Sequence, residues 1–419
     1  MKEHVVRSIP ISYEMVSSAY GKVKQGGKAA GIDGESWTEF EREDVSQKLY
    51  VIWNRLSSGS YFPNAVREVE IPKKDGRMRK LGIPTIRDRI AQQVIKKYME
   101  DRIDGHFHES SYGYRPLKSS KQALEAVRKN CLEQDWVLDM DISNFFDEID
   151  HDLMLRAVEA MLPEKWIRMY VQRWLQMKEI KADGSVVDKE GKGTPQGGVI
   201  SPLLANLYLH YGLDKWLDKN HPDTKFVRYA DDVILHCKDR GQAERLQVAI
   251  KGRLQEIGLR LNTVKTKIVY CKDYRRKERH EQVQFGFLGY SYQPRSTRCK
   301  FKPRNYTIFS PEISKDNQKR IRDEIKKVIN WRNTSQEISQ IAGQLNSKLR
   351  GWLNYYGLYG KRELREVMIY LEDKLMKWLR RKHLIGTMKS VKLYVSIRKQ
   401  NPKMFYHWEA GYCYYLSKK

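Results

Sequence analysis

The sequence predicts an α+β region followed by an all-helical region, and three observations support this fold class. Mixed strand and helix patterns run to about Tyr292, after which apolar residues recur at helical spacing. Asp-Gly at 75–76 separates two strand-like runs, which is a strong hairpin signal. A second hairpin pattern surrounds Ala230-Asp231-Asp232, so the sheets of the first region should be antiparallel.

The predicted elements follow in chain order. The α+β region begins with helices, continues with a hairpin and a helix, and then carries the strands that deliver its acidic residues. The predicted elements are a helix at about 12–25, a helix around 40–56, strands at 69–72 and 78–83, a helix from 86 to about 98, a strand at 137–142, the hairpin 226–236, a helix at 242–257, a strand at 267–271 and an apolar segment at 285–290. From Ser310 onward, three amphipathic helices predict a small bundle, with faces Ile321/Ile325/Val328, Ile338/Ile341/Leu345/Leu349/Trp352 and Leu364/Val367/Leu371/Leu375/Trp378.

Composition indicates a globular protein with a polyanionic partner. The chain has 419 residues, of which 40% are hydrophobic and 31% charged, and this mix excludes wholesale disorder. Its net charge is +26, of which residues 300–399 carry +15. Such a charge favours nucleic acid as the partner, and a solvated helical surface is the alternative interpretation.

Other compositional features exclude several classes of protein. There is no run of 18 apolar residues and no secretory start, so we expect a cytoplasmic protein without a membrane partner. The five cysteines are scattered and form no CxxC pair, which argues against a disulfide framework or a zinc knuckle.

Three carboxylates are the strongest chemical signal. Asp141 ends one apolar strand, and Asp231 and Asp232 lie at the tip of a hairpin. Buried acids are costly unless they are paired or metal-bound, and two divalent cations about 3.5–4 Å apart would explain all three. Mg²⁺ fits because it prefers oxygen ligands shared with substrate phosphates, with Mn²⁺ as an alternative. For Asp231-Asp232 alone, a simple turn is the competing interpretation.

The motifs around these acids resemble those of group II intron-encoded reverse transcriptases, and they occur in that family's order over nearly the whole chain. The YxDD box is Tyr229–Asp232, and the first catalytic motif is Asp139–Asp147 with His151-Asp152. The other matching motifs are Gly31-Ile32-Asp33-Gly34, Leu81–Thr85 with Asp88-Arg89 and Gln92-Gln93, Tyr112–Pro116, Gly193–Gly198 with Ser201–Asn206, Phe287–Tyr290, and Gly351–Tyr356 of the maturase or X domain.

The resemblance implies a right-hand polymerase. Its fingers and palm would contain the antiparallel sheet, and an all-helical thumb or maturase (X) domain would follow. The implied boundaries are an N-terminal extension and start of the fingers at 1–65, fingers and palm at 66–300, the thumb at 301–385, and a short C-terminal appendage at 386–419 that would be a reduced DNA-binding region.

The resemblance also implies roles for individual residues. Asp141, Ile142, Asp231 and Asp232 would hold the two metal ions, and Lys265 would protonate the leaving pyrophosphate unless it forms only a structural salt bridge. Lys73, Arg79, Ile142, Phe146 and Gln196 would bind the dNTP. Phe146 would exclude the ribose 2′-OH, although neighbouring Phe145 could serve equally. Lys28, Tyr112, Arg115 and the primer-grip residues Phe287, Leu288 and Gly289 would contact template or primer. Tyr114 is a further template candidate, and Trp352, Tyr355 and Tyr356 are expected in the thumb core.

The implied function is RNA-directed DNA polymerisation by an intron-encoded protein. Expected partners are an RNA template with a DNA or RNA primer, dNTPs, group II intron RNA and target DNA. The protein would assist splicing as a maturase and copy the intron during retrohoming by target-primed reverse transcription. Two alternatives remain: a host-adopted reverse transcriptase in defence, CRISPR spacer acquisition or repair, and an RNA-binding splicing factor without polymerase activity. No HNH endonuclease segment follows the thumb, so we expect no second-strand cleavage by this chain.

Overall fold

The computed structural model describes residues 8–72, 76, 78–187, 190–298, 305–330 and 334–413. They form two compact units: residues 1–123 with 138–267, and residues 124–137 with 268–419. This division differs from the boundaries expected from sequence, because residues 124–137 belong with the C-terminal part of the chain.

Helices and strands alternate through the first part of the chain, and helices dominate its end. The helices are α1 (Tyr13–Lys24), α2 (Trp37–Arg42), α3 (Val45–Ser57), α4 (Ile86–Ile103), α5 (Ser120–Glu133), α6 (Phe145–Glu148), α7 (His151–Met161), α8 (Lys165–Leu175), α9 (Ser201–Leu209), α10 (Lys215–Asn220), α11 (Arg240–Glu256), α12 (Lys315–Val328), α13 (Ile338–Tyr356), α14 (Lys361–Lys382), α15 (Thr387–Gln400) and α16 (Tyr406–Glu409). The strands are β1 (Val66–Pro72), β2 (Met78–Ile83), β3 (Trp136–Met140), β4 (Ile142–Ser143), β5 (Glu179–Ile180), β6 (Val186–Val187), β7 (Lys225–Tyr229), β8 (Asp232–Cys237), β9 (Arg260–Leu261), β10 (Lys267–Tyr270), β11 (Phe285–Phe287), β12 (Tyr290–Arg298) and β13 (Asn305–Ile313).

The N-terminal helices of the first unit begin at well-formed caps. The Ser12 hydroxyl accepts a hydrogen bond from the Met15 amide at the start of α1. The stretch predicted as one helix around 40–56 is two helices, because the Asp44 carboxylate accepts from the amides of Ser46 and Gln47 and starts a new helix there. Helices α1 and α3 pack on α4, whose Ile90, Val94 and Ile95 are fully buried.

Two sheets contain the predicted hairpins. Strands β1 and β2 pair antiparallel from Arg67↔Ile83 to Pro72↔Met78, which confirms the predicted hairpin. In the second sheet, β3 lies beside β8, which pairs with β7 in the predicted antiparallel hairpin. The short strands β4 and β9 pair through Ile142↔Leu261 and Ser143↔Arg260.

The second unit contains a three-stranded antiparallel sheet that sequence analysis missed. Strands β12 and β13 pair along their whole length, from Tyr290↔Ile313 to Arg298↔Asn305. The expectation that helices take over after about Tyr292 was therefore wrong for this segment. In β12 the buried aromatic rings at strand spacing are Tyr290 and Tyr292, and the polar run 295–298 gives little apolar alternation.

Helices α12, α13 and α14 form the predicted bundle. Each predicted face is buried over most of its length: Ile321 and Ile325, then Ile341 to Leu349, then Leu364 to Trp378. Helix α15 packs on α14 and α16 packs on α13, so the described part of the C-terminal segment belongs to the same unit as the bundle. Among the described helices, none combines the length and apolarity needed to cross a bilayer.

Candidate active site

Asp141 lies between two short strands that fix its backbone. The Asp141 carbonyl accepts from the Asn262 amide at 2.8 Å, and its own amide donates to the Thr266 hydroxyl at 3.3 Å. The turn that carries Thr266 also carries Lys265, whose Nζ lies 3.5 Å from Asp141 Oδ2. Lys265 therefore forms an ion pair with Asp141.

Asp231 and Asp232 occupy the tight turn of the β7–β8 hairpin. Tyr229 pairs with Asp232, so Ala230 and Asp231 form the connection. Ala230 has φ of 57°, a left-handed conformation that is uncommon for residues other than glycine. Surrounding structure must hold such a turn, and strained backbone of this kind is concentrated at functional sites.

The acidic residues are electrostatically coupled. Burial and the neighbouring Asp231 and Asp141 carboxylates together raise the pKa of Asp232 to about 7, although Lys265 and Arg79 act in the opposite direction. Burial and the Asp141 charge likewise raise the pKa of Asp231. The Asp232 side chain is nevertheless exposed to solvent on one side. Carboxylates gathered in this way favour a bound cation.

Asp139 is a fourth acid at the site to which sequence analysis gave no role. Burial and the charges of Asp232 and Asp141 together raise its pKa to about 7, against a lowering by Lys267. The signal was available, because residues two apart in a strand point to the same face and Asp139 lies two positions before Asp141.

Arg79 on β2 faces the carboxylates, since its charge lowers the pKa of both Asp231 and Asp232. Lys73, the other cation predicted to contact the triphosphate, lies outside the described residues. The Ile142 side chain is buried, so only its backbone atoms are available to a nucleotide or metal.

The two adjacent phenylalanines differ in exposure. Phe145 is 2% exposed and belongs to the core, whereas Phe146 is half-buried, and their rings pack edge to face. The Phe146 carbonyl accepts from the Thr194 amide at 2.8 Å, which ties the segment after Asp141 to the Gly193–Gly198 loop. The ring that remains accessible is therefore Phe146.

The Gly193–Gly198 loop is fastened to β2. The Gly82 amide donates to the Gln196 carbonyl at 2.8 Å, and a Cβ on Gly197 would come within 2.8 Å of the Gly82 carbonyl oxygen. Gly197 has φ of 123°, so both its conformation and its close approach require glycine. Gln196 is half-buried, and its side-chain amide donates to Asp147 Oδ1 at 3.3 Å.

The predicted template contacts divide into accessible and internally bonded residues. Tyr112 is half-buried and Tyr114 is exposed, and the Tyr114 ring lies 6.0 Å from that of Tyr229. Arg115 is different, because its side chain is 7% exposed and bonds to the Asp104 carboxylate and to the carbonyls of Asp104, His108 and Ser111. Those bonds argue against the predicted template contact and give Arg115 a structural role in holding the 104–115 segment.

Lys28 is exposed on a loop that is docked on the unit. Arg89 donates to the carbonyls of Gly27 and Ala29, and Arg67 donates to the Ala30 carbonyl at 2.7 Å. A basic side chain is therefore presented to solvent from a fixed backbone.

The predicted primer grip belongs to the second unit. Phe287 is buried, and the turn after it has left-handed residues at Leu288 and Gly289. Asn317 donates to the Gly289 carbonyl at 2.8 Å, and the Tyr355 hydroxyl donates to the Leu288 carbonyl at 2.9 Å. The turn is therefore anchored to α12 and α13, and Tyr355 and Tyr356 pack in this region as expected. Trp352 is half-buried.

Within the described ranges, no group of three or more His, Cys, Asp or Glu side chains is arranged to hold a metal ion by itself. The donor chemistry nevertheless fits a hard divalent cation. Asp141, Asp231 and Asp232 offer carboxylate oxygens, and the neighbouring acids raise the pKa of Asp231 and Asp232, which a bound cation would offset.

Comparison with known families accounts for this constellation. A family model described as reverse transcriptase (RNA-dependent DNA polymerase) matches residues 71–292, more than half of the chain. The chain belongs to the reverse transcriptase family. A second model, the group II intron maturase-specific domain, matches residues 318–394.

Individual relatives of this reverse transcriptase agree with both domains. It is 33% identical over 286 residues to Protein YkfC of Escherichia coli (strain K12), covering 59% of this chain and 74% of the relative. It is 26% identical over 462 residues to the group II intron-encoded protein LtrA of Lactococcus lactis subsp. cremoris, covering 88% and 73%. The putative COX1/OXI3 intron 1 protein of Saccharomyces cerevisiae is 25% identical over 340 residues, covering 68% of this chain and 39% of the relative.

These findings confirm the family predicted from the motifs. The chain is a reverse transcriptase that carries a group II intron maturase-specific domain, and reverse transcriptases depend on divalent metal ions.

Proposed function

We propose that this reverse transcriptase polymerises dNTPs at Asp141, Asp231 and Asp232 with two Mg²⁺ ions, and that it serves the retrohoming of a group II intron. The observation that carries the proposal is the electrostatic interaction of these three acids: burial and the Asp141 charge raise the pKa of Asp231, and burial with the Asp231 and Asp141 charges raises that of Asp232.

The bound ions would activate the primer 3′-OH and stabilise the charge of the leaving phosphate. Within the protein, the three carboxylates set where the ions lie, and Asp139 adds negative charge behind Asp232. Lys265 is a candidate proton donor to the leaving group, since its ammonium lies at the rim of the site beside Asp141.

The nucleotide would lie between β2 and the Gly193–Gly198 loop. Arg79 is close enough to influence the carboxylates and would balance triphosphate charge, with Lys73 as the second predicted cation. Gln196 would contact the nucleotide from a loop whose backbone is fixed by Gly82. Phe146 would exclude the ribose 2′-OH, because its ring is accessible whereas that of Phe145 is in the core.

The basic helices of the second unit would grip duplex and intron RNA through phosphates. Residues 300–399 carry a net charge of +15, and sequence-independent phosphate contacts of this kind favour an A-form hybrid or structured RNA. Target DNA would be engaged during retrohoming, where its cleaved strand would prime copying of the intron.

The catalytic assignment can be tested with Asp232→Asn, measured by RNA-templated dNTP incorporation and by RNA binding. We expect incorporation to be abolished with nearly unchanged RNA affinity, because phosphate contacts come from the basic surfaces. The matched control is Asp183→Asn, an exposed acid in the turn before β6, which should behave like the wild type. Undiminished extension by Asp232→Asn would contradict the assignment.

The intron assignment can be tested by sequencing RNA that copurifies with the protein from its native cell. Enrichment of one long structured intron surrounding the protein's own reading frame would support retrohoming. Diffuse cellular RNA, or one small unrelated transcript, would favour a host-adopted polymerase instead.

A further inference from the structure

Arg228 and Asp214 form a fully buried ion pair beneath the catalytic hairpin. Both side chains are 0% exposed, and Arg228 donates from Nε to Asp214 Oδ1 at 2.8 Å and from Nη2 to Oδ2 at 2.5 Å. A bidentate guanidinium–carboxylate pair has a fixed orientation, because both groups are planar and joined at two points.

An irregular turn places Asp214 under the hairpin. Residues His210–Asp214 form a π-helical turn between α9 and α10, and a Cβ on Gly212 would come within 2.7 Å of the Ile257 side chain. π-Helical turns are rare and are found mostly at functional sites. Because of this turn, the Asp214 carboxylate lies at a position that a regular α-helix would not give it.

The remaining donors of Arg228 point at the hairpin turn. Its Nη1 donates to Asn206 Oδ1 at 2.9 Å and to the carbonyl oxygen of Ala230 at 3.2 Å. Asn206 in turn donates from Nδ2 to the Gly113 carbonyl at 2.6 Å. One guanidinium therefore connects the left-handed residue of the turn with the segment that carries Tyr114.

The backbone of the two segments is joined at the same place. Arg228 donates its amide to the Ser110 carbonyl, and its carbonyl accepts from the Tyr112 amide, each at 2.8 Å. A Cβ on Gly113 would lie 2.5 Å from the Ala230 nitrogen, so only glycine permits this approach. The Asp231–Asp232 turn is therefore fixed by the Arg228 side chain and by the backbone of residues 110–113.

We propose that Asp214, Arg228 and Asn206 are positioning residues that set the height and tilt of the Asp231–Asp232 turn. This inference rests on the proposed function of those two acids. A buried ion pair is seldom better for stability than apolar side chains of similar volume, so stability alone does not account for its presence. Instead, the ion pair orients the Arg228 guanidinium, so that one of its N–H groups donates at a fixed angle to the Ala230 carbonyl in the strained turn.

The test uses Arg228→Lys in the full chain. Lysine keeps a positive charge for Asp214 but lacks the planar fork needed to bond Asn206 and Ala230 at the same time. At saturating RNA–DNA template–primer, we expect kcat to fall by about tenfold to a hundredfold, as small displacements of catalytic groups do. The Mg²⁺ concentration for half-maximal rate should rise, while template–primer affinity stays within about twofold.

Should Arg228→Lys fail to fold, the paired substitution Asp214→Leu with Arg228→Met removes both charges and should leave a folded chain. The matched control is Lys48→Met with Glu35→Leu, another largely buried ion pair of the same unit, joined at 2.9 Å. It should leave kcat per folded molecule and the Mg²⁺ dependence unchanged.

A wild-type kcat and Mg²⁺ dependence in a folded Arg228→Lys or paired variant would overturn the inference. So would a loss of activity that only follows the unfolded fraction. Asp232→Asn, run in parallel, separates the two proposals: if it is inactive while the Arg228 variants are normal, the positioning role fails and the catalytic assignment stands. An active Asp232→Asn would instead remove the basis of both.

Discussion

The acids of the candidate active site and Glu372 of the second unit have differently charged surroundings. In the first unit, Asp139 and Asp232 stand close together, and the pKa of each is raised to about 7, primarily by burial and also by neighbouring acids. In the second unit, Glu372 is fully buried beside Arg398, whose Nη1 lies 3.8 Å from its Oε1, and the Tyr394 hydroxyl donates to it at 3.2 Å.

This difference distinguishes the acids of the candidate active site from a buried acid with a structural role. Glu372 on α14 finds its partners on α15 and α16, so its charge holds the C-terminal helices to the bundle. In the candidate active site, Lys265 and Arg79 act to lower the pKa of Asp232 and Lys267 acts to lower that of Asp139, yet both pKa values remain raised. A buried charge that is paired within the chain stabilises the fold. A charged cluster that lacks such partners is a candidate binding site for a ligand.

The largest expected effect is on Glu372. Glu372→Leu leaves Arg398 buried without its carboxylate, and breaking such a pair costs about 3–5 kcal/mol of unfolding free energy. Urea unfolding at pH 7 measures the change. The matched control on the same helix is Glu366→Gln, an exposed acid paired with Arg362, which should change the free energy by less than about 0.5 kcal/mol. Equal losses in both variants would remove the contrast between the units.

Acid should weaken the second unit through His407. Burial lowers the pKa of this imidazole to about 3 in the folded chain. Between pH 6.5 and pH 3, His407 is therefore protonated in the unfolded chain but neutral in the folded chain. Stability contributed by the neutral ring is therefore complete above pH 6.5 and declines as pH falls toward 3. By pH 5 the loss is about 2 kcal/mol.

The measurement compares unfolding free energy at pH 7 and pH 5 for the wild type and His407→Gln. We expect the glutamine variant to lose less on acidification. His383→Gln, which changes an exposed histidine at the end of α14, is the control and should follow the wild type. Identical pH dependence in all three proteins would contradict a role for His407.

The pair Phe145 and Phe146 extends the contrast to apolar side chains. Phe146→Ala should relax exclusion of rNTPs by about tenfold in kcat/KM ratio, because the accessible ring is removed from the nucleotide's path. Phe145→Ala should instead lower stability while retaining the discrimination, since that ring is in the core. Unchanged discrimination between dNTPs and rNTPs in Phe146→Ala would show that another residue excludes the ribose 2′-OH.

The smallest expected effect has the opposite sign to that of Glu372. In EDTA, Asp232→Asn should raise the unfolding free energy at pH 7 by about 1 kcal/mol after allowance for solvent screening, because it removes a charge that its surroundings disfavour. The gain arises because the raised pKa of Asp232 makes its ionised form costly near and above pH 7. A loss of stability in Asp232→Asn would show that the acid is internally balanced.

Sequence analysis predicted the hairpins and the bundle because their apolar periodicity is regular and their turns carry Asp-Gly or Ala-Asp-Asp. It missed β12 and β13, where polar side chains obscure the strand pattern. The three acids proposed to be catalytic were recognisable because acids at the ends of apolar strands are unusual. Two features could not be anticipated: the internal hydrogen bonds of the Arg115 side chain and the Asp214–Arg228 ion pair. Both depend on contacts between residues that are separated along the chain.

The most direct test of the central claim counts the divalent ions held by the three acids. Electron paramagnetic resonance of Mn²⁺ would be recorded for the complex with a 3′-deoxy-terminated RNA–DNA template–primer and dNTP, with the same nucleic acid alone as the baseline. We predict two additional Mn²⁺ ions per chain for the wild type, and none for the variant combining Asp141→Asn, Asp231→Asn and Asp232→Asn. An unchanged Mn²⁺ count in a triple variant that still binds template–primer would contradict the account.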